Sequence, residues 1–311
     1  MRFGVLNFSI GPYERLSQRW KRFEALGFDD AWIADDVLIR GYADFESWTL
    51  LGALARDTQR MRIGTLVTTI RFRHPAFLAA QVLSLDQISG GRAAVAIGAG
   101  EPWQSETLGE ARWSAKETGL RLEEQAATLG PLLRGETTER TGSFYSTSTG
   151  TFFETYPAEV PQPTTKPRPP LFIAAHGPKG IRTAARHADA WNSFGGQSYA
   201  GGPKPEERDG GRTLQEALAK MRELTERVDE ACDEVGRDPA TLQRTILAFH
   251  PEPDPFASLD AFDEYVGAYE EIGISAITFY WPPIDAQLED KMPSSDEEAL
   301  FESICAERIG R

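Results

Sequence analysis

MRIGTLVTTIRFRHPAFLAAQVLSLDQISGGRAAVAIGAGE, residues 61–101, decides the fold. Two apolar runs, 61–70 and 92–98, are rich in Val, Ile and Ala. Each is too short for a globular helix and ends in a polar or Gly-rich turn, as buried parallel strands do. Between them, 75–87 carries Phe77, Leu78, Val82, Leu83 and Leu85 at helical spacing. His74-Pro75 starts that helix with Pro at its first position, and Gly90-Gly91 stops it. Strand, helix, strand makes one βαβ unit. The unusual residues gather where its strands end, which is where α/β proteins place their ligands.

The same alternation runs through the chain. Strands are expected at 3–10, 31–34, 171–174, 190–194, 242–249 and 274–281. Helices are expected at 14–26, 45–56, 120–134, 179–187, 259–269 and 297–309, with a long one starting at Leu214 and ended by Gly236 and Pro239. The first helix shows why: Leu16, Trp20, Phe23 and Leu26 recur every three or four residues, and Gly27 closes it. Eight strands alternating with eight helices predict an α/β fold, a (β/α)₈ TIM barrel with insertion loops on its C-terminal face. No G-x-G-x-x-G follows the first strand, which argues against an open dinucleotide-binding sheet. The 311 residues read as one domain, 1–311, with insertions near 102–118, 137–170 and 195–213. The second of these holds prolines and paired aromatics, Phe144-Tyr145 and Phe152-Phe153, and reads as a hairpin or irregular excursion.

Composition narrows the partners. With 33 Lys+Arg against 47 Asp+Glu, the net charge is −14, which disfavours nucleic acid and anionic membranes. An anionic small ligand remains compatible, because helix N-termini hold phosphate without a side-chain cation. Only two cysteines occur, Cys232 and Cys305, and no Cys/His pair has metal-ligand spacing, so the expectation is a reduced, cytoplasmic protein without a metal. No signal peptide and no run of about 18 apolar residues is seen.

The barrel reading puts the site at the strand C-termini. Asn7 and Ser9 stand there from strand one, Asp35 and Asp36 from strand two, and Thr68, Thr69, Arg71, Arg73 and His74 from or beyond strand three. Strand four brings Gly98, Gly100 and Glu101. Strand five ends in Ala174, Ala175, His176 and Gly177; strands six and eight add Trp191, Asn192, Phe194, Tyr280 and Trp281. Such a mouth is aromatic enough for a flat ring, and the Gly-rich backbone beside a helix start after strand five suits phosphate.

These residues carry a resemblance. GFDDAWIADD at 27–36, the stretch 61–101, PPLFIAAHGPKGIRTAARHADAW at 169–191 and GISAITFYW at 273–281 resemble the luciferase-like monooxygenase superfamily, flavin- and coenzyme F420-dependent oxidoreductases. The resemblance implies a barrel holding F420, or alternatively FMN, with a small-molecule substrate and a homodimeric assembly. It implies a non-proline cis peptide at Leu66-Val67 against the ring. The phosphate would lie near Ala175, His176, Gly177 and Pro178, and Gly100 and Glu101 by the ring, with Asp35, Thr68 and Trp191 completing the cofactor site. There is one departure. Many relatives have Asp-His at the end of strand two, and this chain has Asp35-Asp36. The missing His leaves Asp36, Glu101 and His74 as candidate catalytic acid/bases, with His176 also within reach.

Plainer readings stand beside these. Asp36 serves equally well as a loop acid, and His74 as a helix cap. His250 at the end of strand seven is a weaker candidate for a substrate contact. The expected function is hydride transfer between F420 and a small organic substrate. The alternatives are a monooxygenase using reduced FMN and O₂, a non-catalytic flavin-binding barrel, and a hydrolase or lyase built on Asp35, Asp36 and Glu101.

Overall fold

The structure, a computed structural model, describes residues 1–35, 44–148, 162–196, 213–289 and 291–310. Eight parallel strands close into a barrel: β1 (Arg2–Asn7), β2 (Asp30–Ile33), β3 (Arg62–Thr69), β4 (Ala93–Gly98), β7 (Leu171–Ala174), β8 (Ala190–Ser193), β9 (Gln243–Ala248) and β10 (Ala276–Tyr280). Ring closure comes from β1, which pairs with both β2 and β10. The remaining two strands, β5 (Glu139–Thr141) and β6 (Ser146–Ser148), form an antiparallel hairpin outside the barrel.

The helices lie where the apolar periodicity put them. They are α1 (Tyr13–Ala25), α2 (Ser47–Asp57), α3 (Pro75–Ser89), α6 (Pro178–His187), α7 (Leu214–Glu234), α8 (Leu259–Glu271) and α10 (Ser295–Arg308). In α1 the predicted stripe is the buried one: Leu16, Trp20 and Phe23 are each at most 1% exposed. Each such side chain contributes about 1.5–3 kcal/mol of burial. His74 accepts the amide of Ala76 and Gly90 adopts φ 72°, so α3 starts and stops at the signals read from sequence.

Three elements depart from the expected pattern. α5 (Ala115–Leu133) begins five residues early, because Ser114 accepts the amide of Glu117 and caps the helix there. α4 (Pro102–Thr107), inside the first expected insertion, and α9 (Ile284–Leu288) are single short helices below the length at which periodicity is legible. The hairpin reading of the second insertion holds for β5–β6. Glu124 anchors its turn by accepting the amides of Phe144 and Tyr145. Phe152 and Phe153, and most of the third insertion, lie outside the described residues.

Two apolar layers result. The larger fills the space between barrel and helices; the smaller, with Leu6, Trp32, Leu66, Ala94, Ala96, Phe172 and Leu247, fills the barrel. At the barrel's N-terminal end Asp30 accepts from Arg62 and Arg2, each at 2.8 Å. The Arg62 guanidinium lies 5.0 Å from the Phe172 ring centroid and 5.7 Å from that of Trp32. That cluster closes the floor.

Candidate active site

A cavity of about 1360 Å³ opens at the C-terminal ends of the strands. One side is apolar and aromatic, formed by Phe8, Leu66, Val67, Phe194, Phe249 and Tyr280. Its rings support one another: Phe249 meets Tyr280 edge-on at 6.0 Å, and Phe8 lies 5.9 Å from Tyr280. The rest of the lining, beyond β4 and β7, is built by Gly98 to Gln104, by the start of α5 and by the first turn of α6.

The peptide Leu66-Val67 is cis, at the position the resemblance implied, and the β3–β4 register shifts between Thr65 and Thr68. Glycines on β4 and just beyond it accommodate this. A Cβ on Gly98 would lie 2.8 Å from Cγ2 of Val67, and Gly100 sits at φ 65° where a Cβ would meet Thr69 Oγ1 at 1.9 Å. The backbone thus leaves the strand tightly and delivers Glu101 to the cavity wall, where its amide donates to Gln104 Oε1 at 2.8 Å.

Asp35 lines the cavity from the end of β2, fully buried. Burial pushes its carboxyl up from the ordinary aspartate range, while Arg73 and the Thr68 hydroxyl pull it back. Arg73 pairs with both Asp35 and Glu46, the latter at 2.7 Å. Asp36, the first of the candidate acid/bases, lies outside the described residues.

Beyond β7, α6 opens with Gly177 as N-cap and Pro178 at its first position, without a side-chain cap. Its first amides therefore look for an outside acceptor. Ala175, His176, Gly177 and Pro178 all line the cavity. The His176 ring stacks on Phe194 at 5.4 Å, and its Nε2 accepts the Phe194 amide at 3.4 Å. Burial lowers its pKa, with Lys220 as a second cause.

The structure thus brings together Asp35, Leu66, Val67, Gly100, Glu101 and the segment 175–178. Three expected site residues stand apart. His74 is exposed and caps α3, with its ring edge-on to Tyr145 at 5.6 Å. Thr68 is buried behind the wall, bonded to Thr65 at 2.7 Å and to the Trp48 indole at 3.2 Å. Trp191 turns into the outer core and donates to the Ala175 carbonyl at 2.7 Å, so it fixes the α6 approach from behind. Trp281, also expected at the mouth, stacks on Phe301 at 3.7 Å in the outer core. Its strand places it at the rim, but the side chain alternates outward.

Several lining residues carried no readable motif. Trp113 and Arg112 sit in a loop, and Asp285 on the short α9. His250, weighed only lightly from sequence, lines the cavity at φ 47°, with Nδ1 3.7 Å from Asp285. A non-glycine residue with positive φ beside a ligand cavity was the signal to find, and it exists only in three dimensions.

A closed parallel barrel with an aromatic cavity at its mouth defines a class, the (β/α)₈ barrels, which carry their sites at the strand C-termini. Residues 1–202 match the luciferase-like monooxygenase family, and the chain belongs to it. The F420-dependent glucose-6-phosphate dehydrogenase of Microbacterium testaceum is 27% identical over 280 residues, 88% of this chain and 70% of that protein. The phthiodiolone/phenolphthiodiolone dimycocerosates ketoreductase of Mycobacterium kansasii is 34% identical over 152 residues, 48% of this chain and 39% of that one. Among solved structures, an F420-dependent secondary alcohol dehydrogenase in complex with an F420-acetone adduct superposes with a TM-score of 0.73 at 14% identity, covering 98% of each chain. The F420-dependent tetrahydromethanopterin reductase of Methanopyrus kandleri gives 0.72 at 15%, covering 97% of each. These two likenesses concern the fold.

Proposed function

We propose that the chain is an oxidoreductase that transfers a hydride between coenzyme F420 and a small organic substrate. One observation carries the reading: a single cavity joins an apolar, ring-lined side to the uncapped N-terminus of α6. That pairing of flat apolar walls with backbone anion donors fits a deazaflavin with a phosphate on its side chain. The F420-dependent relatives above support it.

When bound, the deazaflavin supplies the hydride chemistry. The protein's share is binding, orientation and proton handling. Leu66 and Val67, with the aromatic wall, hold the ring and exclude water. The amides of Lys179 and Gly180, at the start of α6, hold the phosphate together with the positive end of the helix dipole. Glu101, at the cavity wall, holds the proton that a carbonyl or alcohol substrate exchanges, and Asp36 is the second candidate. Glu101 takes precedence over His74, because Glu101 lines the cavity and His74, exposed at the start of α3, does not.

We also infer a homodimer. Helix α3 is apolar around most of its circumference, and Phe77 (60% exposed) and Ile88 (43%) open a shallow apolar groove against α2. Both cysteines are free and buried, which fits a cytoplasmic setting. No helix among the described residues is long and apolar enough to cross a membrane.

The test is fluorescence titration with F420 and with FMN, followed by turnover with sugar phosphates, secondary alcohols and enones. F420 binding with hydride exchange is expected. Tight FMN binding without F420 binding points instead to the flavin monooxygenase reading, and binding of neither leaves a barrel without a redox cofactor.

A further inference from the structure

Phe8, Phe194, Phe249 and Tyr280 stand at or just past the ends of β1, β8, β9 and β10, strands that neighbour one another around the barrel, and all four line the cavity. Their rings form one continuous arc. Phe8 lies 5.9 Å from Tyr280, Tyr280 lies 6.0 Å from Phe249, and Phe249 meets Phe194 edge-on at 5.6 Å. Two residues before Phe194 and Phe249, Asn192 and Leu247 line the cavity on the same strand faces. His250 follows Phe249 directly and lines the cavity too, which alternation alone does not allow. Its φ of 47° turns it back inward, a conformation rare outside glycine that gathers at functional sites.

Charge is divided unevenly around the same cavity. Among the described lining residues, the Arg and Lys side chains are Arg71, Arg112 and Lys179, which come from beyond β3, from the approach to α5 and from α6. They already have acidic company: Glu106 lies 3.9 Å from Arg112, and Glu101 is the leading charge on Arg71. The described lining residues of β1, β8, β9, β10 and the turns beyond them include no Lys or Arg. Their titratable groups are His250, Tyr280 and Asp285, with Asp285 3.7 Å from His250 Nδ1. A phosphate or carboxylate brought against these rings would lose hydration without gaining a cation, and would meet Asp285. An uncharged ring gains by leaving water and finds edge and face contacts with its aromatic neighbours.

We propose that the arc is the reactant's binding surface and that the reactant is an uncharged alcohol, or its carbonyl partner, bearing an aromatic or alicyclic ring. The inference rests on the F420 reading and names the substrate class for it. β3, which bears Leu66 and Val67, stands four strands from β9 in either direction around the closed barrel. The Leu66-Val67 peptide and the arc therefore bound one apolar space from two flanks, with room between them for coenzyme ring and reactant together. The cavity's volume of about 1360 Å³ exceeds the roughly 300–1,000 Å³ of a pocket for one ligand. Oxidation of the alcohol gives up the carbinol hydride to F420, which is reduced, and the hydroxyl proton to Glu101, leaving the carbonyl compound.

Reduced F420 accepts no hydride, so protein loaded with it reads alcohol binding without turnover. F420 affinity is measured first, by fluorescence titration. Calorimetry at low and high salt then compares cyclohexanol, isopropanol and glucose 6-phosphate. The wild type is expected to bind cyclohexanol about 30-fold more tightly than isopropanol, to keep that preference at high salt, and to bind glucose 6-phosphate more weakly than cyclohexanol at either salt. Phe194→Ala and Phe249→Ala should each cut the preference about fivefold. A loss of folding or of coenzyme affinity alone would lower both alcohols together. Both side chains are half-buried, and thermal melts report whether the variants fold; if they do not, the wild-type preference and its salt dependence decide. Equal binding of the two alcohols by the wild type, or a preference that survives both substitutions in folded protein, overturns the proposal and leaves the F420 reading standing. Tighter, salt-sensitive binding of glucose 6-phosphate overturns it in favour of an anionic reactant. Absence of F420 binding overturns the F420 reading itself.

Discussion

Gly177→Val separates ligand binding from folding. Gly177 is the N-cap of α6 at φ −83°, ψ 155°, an extended conformation open to any residue, and a Cβ there meets nothing within 4 Å. The valine side chain therefore enters the cavity rather than the protein. It occupies the space in front of the Lys179 and Gly180 amides, where the phosphate is proposed to sit. A hydrogen bond to a charged group contributes about 1.5–3 kcal/mol. Losing one such bond weakens F420 binding about 10- to 100-fold. Valine is a poorer N-cap than glycine by a fraction of a kcal/mol, so the melting temperature without ligand should move by no more than about 3 °C. Gly180→Val is the contrast, because its Cβ would lie 2.6 Å from that of Ala175 and the fold itself should suffer. The assay is F420 fluorescence titration beside a thermal melt. Unchanged affinity in a folded Gly177→Val protein refutes the placement of the phosphate.

Other expectations follow the same logic. Glu101→Gln should lower turnover about 100-fold or more while shifting stability by no more than about 0.5 kcal/mol, read by steady-state rates and urea melts. Arg73→Met leaves Asp35 buried without its cation and should cost about 3–5 kcal/mol. In that variant the folded state holds the Asp35 proton to higher pH than the unfolded chain does, so stability falls as pH rises, and melts at pH 5 and pH 8 should show the larger deficit at pH 8. Glu123, bonded to His187, Thr183 and Arg186, has its pKa pulled down to about 2, chiefly by His187. Its contribution is present above the ordinary carboxylate range and fades as pH falls towards 2. Because the site is half-exposed, Glu123→Gln should cost only about 1 kcal/mol at pH 7 and flatten that acid limb in denaturation curves. Phe77→Glu should shift the protein towards monomer in light scattering, and a dimer of unchanged stability would refute the α3 interface.

The barrel was legible because each strand–helix pair announces itself locally. Val95, Ala96 and Ile97 form a run that only a doubly covered strand tolerates, and Gly90 ends α3 where its sequence predicts. The cis peptide followed from family resemblance rather than from spacing, while the α6 turn was readable from Gly177-Pro178 themselves. Legibility failed where a role depends on direction. Trp191 on β8 and Trp281 just past β10 both point into the helix layer, and a one-residue change of facing is invisible in strands this short. Arg71 was noted only by its position beyond strand three. The Trp113 ring against its guanidinium is forty-two residues away, and no periodicity links the two.

The plug of Asp30, Arg62, Trp32 and Phe172 makes the cavity a blind alley. Among the described residues the strands' lower ends offer no second opening, so the proposed coenzyme and its reactant would enter from the same end of the barrel. If the proposed coenzyme settles deeper than the reactant, an ordered sequence of binding is the expected outcome, and product-inhibition kinetics check it.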